Sequence, residues 1–80
     1  MEIKEKTVLV AGMARSGLSA AKLLYRHGAR VIVYDKKAYN EVSSLVEELE
    51  SAIRCEFCLG EEPNKLLEQI DLVVLSPGIP

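Results

Sequence analysis

Two short, uninterrupted apolar runs bracket a glycine turn and a helix between Thr7 and Asp35, and that arrangement admits few folds. Val8-Leu9-Val10-Ala11 has no polar residue at alternate positions, the pattern of a strand buried on both faces of a parallel sheet. Gly12 ends the run. Gly17 lies at the start of a helix carrying Leu18, Ala21, Leu24 and Tyr25, and Gly28 stops that helix after His27, as a residue free to adopt positive φ. Val31-Ile32-Val33-Tyr34 makes a second buried strand with Asp35 at its carboxyl end. This is a βαβ unit. The amino end of its helix offers unpaired N–H groups and a partial positive charge, for which a diphosphate is the natural ligand.

The alternation continues beyond Asp35. Val42, Leu45, Val46, Leu49 and Ile53 share one helical face, with Asn40 or Ser43 placed to cap it, and Glu41, Glu47, Glu48 and Glu50 on the solvated side. Arg54 to Leu59 reads as a third strand closed by Gly60. Glu61 to Asn64 is a turn, Asn64 starts a short helix through Gln69, with Leu66, Leu67 and Ile70 inward, and Leu72-Val73-Val74-Leu75 is a fourth strand. Met1 to Lys6 is a polar lead-in. The expected fold is α/β: one Rossmann-like domain over residues 1–80, a four-stranded parallel sheet in the order 3-2-1-4 with helices on both faces. The switch point falls between the first and fourth strands, so three loops meet beyond the strands' carboxyl ends: Gly12 to Gly17, Asp35 to Lys37, and Ser76 to Ile79.

Composition excludes several functions. A net charge of −2 gives no basic stripe for nucleic acid. No apolar run approaches the roughly 20 residues that cross a membrane, and the charged start, MEIKEK, is no signal peptide, so a cytoplasmic location is expected. Cys55 and Cys58 form a C-x-x-C, but on a strand residues three apart face opposite ways, so the pair reads as two small apolar side chains rather than a metal or redox site. His27 is the only histidine. No nucleophile–histidine–acid set can be assembled, and Leu18-Ser19 stands where a P-loop needs Lys and Ser or Thr. Catalytic residues, metal ligands and cofactors are therefore expected to be absent from these residues.

Gly12-Met13-Ala14-Arg15-Ser16-Gly17 matches the dinucleotide pattern G-x-G-x-x-G with Ala14 in place of the middle glycine. Arg15 and Ser16 are positioned to add a charge or a hydroxyl to a bound phosphate. Asp35, eighteen residues after Gly17, stands where an acid would accept a ribose hydroxyl, and Lys36 and Lys37 beside it suit a 2′-phosphate. NAD, NADP and other nucleotides all remain compatible, as does a domain that binds nothing alone. Gly12→Val is expected to cost stability, and Asp35→Ala to spare the fold while weakening nucleotide binding.

VLVAGMARSGLSAAKLLYRHGARVIVYD and LVVLSPGIP together resemble the amino-terminal domain of the D-glutamate-adding Mur ligases of peptidoglycan synthesis. The family pattern is G-x-G-x-[ST]-G-L-[AS], a strand-end Asp, and S-P-G-[IV] after the fourth strand. The resemblance implies binding of the UDP part of UDP-N-acetylmuramoyl-L-alanine. By match, Gly12, Ala14, Arg15, Ser16 and Gly17 lie at the diphosphate, Asp35 and Lys36 against the uracil, and Gly78 on its other side. It also implies that ATP, Mg2+ and D-glutamate are handled by further domains that carry the amide-bond ligation. The second reading is an NAD(P)-binding module of a dehydrogenase or a ligand-sensing regulator.

Overall fold

The computed structural model describes residues 3–60 and 66–75. Its elements run β1 (Thr7–Ala11), α1 (Arg15–Arg26), β2 (Arg30–Asp35), α2 (Tyr39–Ala52), β3 (Glu56–Leu59), a short 3-10 helix (Leu66–Gln69) and β4 (Leu72–Leu75). All pairings are parallel and the strand order is β3-β2-β1-β4, as the alternation of runs requires. The register sets Leu9 opposite Ile32 and Val73, and Ala11 opposite Tyr34 and Leu75.

Both α-helices pack on one face. Val8 and Val10 of β1 and Val31 and Val33 of β2 point to that face, where they meet Leu18 and Ala21 of α1 and Val42, Val46 and Leu49 of α2. Leu18 and Leu49 are fully buried, each the kind of side chain whose truncation to Ala costs about 2–5 kcal/mol. Leu24 packs at the margin of this core, but Tyr25, expected on the same stripe, lies at its edge and is exposed. On the opposite face Leu9, Ile32 and Cys58 are buried, whereas Val73 is 47% and Leu75 73% exposed. Among the described residues, the fourth apolar run is thus covered on the helix side, through Leu72 and Val74.

Local chemistry explains most boundaries. Gly28 (φ 88) closes α1 in a Schellman arrangement: its N–H donates to the Tyr25 carbonyl at 3.0 Å, and the Ala29 N–H to the Leu24 carbonyl at 3.1 Å. The start of α2 departs from expectation. Neither Asn40 nor Ser43 caps it; Ala38 is the N-cap, and the Glu41 carboxylate accepts the Ala38 N–H at 3.1 Å, one half of a capping box. The first turn is tight, with the Glu41 N–H on the Ala38 carbonyl, and the helix bends at the buried Val42. Ile53 is not in the helix but extended at its C-cap, and β3 begins at Glu56, two residues later than its apolar pattern suggests. The lead-in is stitched to the body: Glu5 N–H donates to Gly28 and Arg30 N–H to Lys6, while Thr7 and Asp71 exchange two hydrogen bonds of 2.8 Å. The expected turn at Glu61 to Asn64, the cap at Asn64 and the segment Ser76 to Pro80 lie outside the described residues, as do the side chains of Leu66 and Leu67.

Candidate functional site

The site is built at the carboxyl ends of β1 and β2. Gly12 leaves β1 with φ 116, a conformation L side chains rarely adopt, while its N–H extends the ladder onto the Tyr34 carbonyl at 2.7 Å. The chain then turns directly into α1. Gly17, buried in the first turn, has its α-carbon against the Gly12 carbonyl, and a β-carbon there would sit 2.2 Å from that oxygen. Both outer glycines of the pattern are therefore required by backbone geometry. Ala14 is not under that constraint: it is the exposed N-cap with φ −138 and ψ 172, an ordinary extended conformation. The methyl group that replaces the usual hydrogen costs the turn no strain.

Asp35 does more than the strand-end position announces. One carboxylate oxygen accepts the Met13 N–H at 2.7 Å and the other accepts the Lys37 N–H at 2.8 Å. The acid thus ties the glycine turn after β1 to the loop after β2. The expectation that Asp35→Ala spares the fold overlooks these two bonds. Lys36 and Lys37 are exposed on the same rim.

Arg15, the first residue of α1, is 76% exposed, and its guanidinium donates to Glu48 of α2 at 2.5 Å. Lys22 Nζ lies 3.9 Å from the same Glu48 oxygen. Glu48 is therefore not simply solvated, and nothing in its helical spacing distinguished it from Glu47 or Glu50. Ser16 is half-buried, and Ala14 provides no side-chain cap for the helix start. The first-turn N–H groups of such a helix have no carbonyl within the helix to bond. The structure thus brings Gly12, Ala14, Arg15, Ser16, Gly17, Asp35 and Lys36 to one end of the sheet. Gly78 lies outside the described residues; Leu75, the last residue of β4, stands opposite Ala11.

The cysteines are elsewhere. Cys58 is buried on the Leu9–Ile32 face and Cys55 packs toward the helix face. Burial, then the charges of Glu50 and Glu56, push the Cys55 thiol up to about 11, so at neutral pH it is a protonated thiol, poor as nucleophile or ligand. Among the described residues no three His, Cys, Asp or Glu side chains group to hold a metal ion, and no helix is long and apolar enough to cross a membrane.

Residues 6–80 match the family described as Mur ligase MurD-like, N-terminal domain. The chain belongs to that family. Three relatives carry the name UDP-N-acetylmuramoylalanine–D-glutamate ligase. That of Thermoanaerobacter pseudethanolicus is 45% identical over 80 residues, covering 100% of this chain and 17% of its own length. That of Pediococcus pentosaceus is 49% identical over 82 residues, covering 99% and 17%. That of Clostridioides difficile is 40% identical over 80 residues, covering 100% and 18%. The chain spans about 17% of the length of these MurD relatives. The fold itself is shared more widely. Shikimate dehydrogenase from Aquifex aeolicus superposes with a TM-score of 0.76 at 19% identity, over 98% of this chain and 27% of that one. Glutamyl-tRNA reductase from Methanopyrus kandleri gives 0.67 at 29% identity, over 92% and 18%.

Proposed function

We propose that this chain is the substrate-holding domain of an ATP-dependent ligase that adds D-glutamate to UDP-N-acetylmuramoyl-L-alanine, and that it binds the uridine diphosphate. The observation that carries this reading is α1's start: it follows the Gly12 turn at the sheet's switch point, and its N-cap, Ala14, has no side-chain acceptor for the first-turn amides. Diphosphate oxygens would accept from those amides, favoured by the helix dipole. Arg15, Lys36 and Lys37 bring positive charge to the same rim, opposed by Asp35, by Glu41 at the start of α2 and by Glu48, which pairs with Arg15. Asp35 and Lys36 would flank the uracil from the β2 loop, with Gly78 on the other side of the base.

No P-loop and no cluster of metal-ligating side chains occurs among the described residues, so ATP, Mg2+ and D-glutamate are assigned to other parts of such a ligase. A cytoplasmic location follows from that substrate. The glycine pattern from Gly12 to Gly17, with Asp35 at the end of the next strand, keeps a nicotinamide dinucleotide as the competing ligand. A backbone-amide NMR titration separates the two. Shifts at Arg15, Ser16, Gly17 and Lys36 with UDP and not with NAD are expected; shifts with NAD alone would overturn the reading.

A further inference from the structure

Arg15 and Lys22 are seven residues apart, two turns or about 11 Å along α1. Yet both approach the same oxygen of Glu48, Arg15 at 2.5 Å and Lys22 at 3.9 Å. Helical side chains tilt toward the helix amino end, so Lys22 reaches back along α1 while Arg15 reaches across to α2. The guanidinium that the proposed function offers to the anion is thus engaged by a carboxylate of the neighbouring helix.

The geometry points to Glu48 as a positioning residue that holds the Arg15 guanidinium against α2 and yields it to a bound diphosphate. The inference rests on the diphosphate reading given above. Three features make the release easy. The pair is exposed, 76% on the arginine and 38% on the glutamate, so water screens it and it contributes little to stability. Lys22 stays beside Glu48 when Arg15 leaves, so the carboxylate keeps a counter-charge. Arg15 is the first residue of α1, so its backbone need not move for the side chain to swing from α2 to an anion on the first turn. Until it swings, Glu48 competes with the ligand for the same guanidinium, and affinity is lowered by whatever the pair contributes.

The test is a double-mutant cycle on the chain, with UDP affinity read by NMR titration in wild type, Glu48→Gln, Arg15→Gln and the double variant. Loss of the competitor should tighten UDP binding about two- to fivefold in Glu48→Gln, the factor expected of an exposed ion pair. In the Arg15→Gln background the same change should have almost no effect. A gain that persists without Arg15 would be a plain through-space charge effect and would overturn the release mechanism while leaving the site intact. So would the absence of any gain in Glu48→Gln when wild type binds. If no variant shifts with UDP, the diphosphate site itself is wrong and the mechanism falls with it.

Discussion

At the scale of single residues, the glycine turn is a steric device before it is a ligand site. Gly17→Ala would place a methyl group 2.2 Å from the Gly12 carbonyl oxygen, which is backbone and cannot rotate aside. We expect a loss of about 1–3 kcal/mol, as for other overpacked contacts, and a melting temperature lower by several degrees with no ligand present. Asp35→Asn tests a different duty. The amide keeps the shape of the carboxylate but offers one acceptor oxygen, so either Met13 or Lys37 loses the partner of its N–H. A cost of about 1–2 kcal/mol is expected in thermal unfolding of the ligand-free chain. If the variant instead melts with the parent, Asp35 is not what holds the two loops together. Asp35 could be picked out in the sequence because an acid at a strand end after a glycine turn is a familiar pattern. Its bond to Lys37, two residues on, is a local Asx turn, but its bond to Met13 could not be read there, because it depends on how two loops 22 residues apart meet in space.

At the scale of elements, what was legible is what has a period. Continuous apolar runs marked β1, β2 and β4, Gly60 closed the less regular β3, and the 3.6-residue spacing marked both α-helices, so the order β3-β2-β1-β4 followed from topology rules. Helix ends were legible only where a residue type carries the mechanism. Gly28 announces the end of α1, whereas the N-cap of α2 is Ala38, which has no side-chain acceptor and leaves no trace in the sequence. Better-looking candidates, Asn40 and Ser43, lie inside the helix. Ala38→Ser should therefore stabilise the chain by about 0.5–1 kcal/mol by giving α2 the acceptor it lacks, measured as a rise in denaturation midpoint at unchanged slope. The Arg15–Glu48 pair was invisible for another reason. Which of several glutamates on α2 faces α1 is decided by helix packing, not by spacing within α2.

At the scale of the whole molecule, the sheet is finished on one face and open on part of the other. Leu75 and Val73 project from β4 on the side away from both helices, and among the described residues β4 pairs with β1 alone. An exposed apolar edge of that kind invites association between copies. Leu75→Glu should raise the monomer fraction at high concentration in sedimentation experiments and leave the melting temperature within about 1 °C, since little packing is lost where 73% of the residue faces solvent. The same strand sets a schedule for folding. β1 is synthesised before both of its neighbours and lies between them in the sheet, but its partner Asp71 follows Thr7 by 64 residues. At ribosomal speeds of roughly 5–20 residues per second, β1 waits about 3–13 s for its second neighbour. For that interval an apolar strand destined for the centre is an edge, and the nascent chain depends on whatever shields Leu9 and Val10 until β4 arrives.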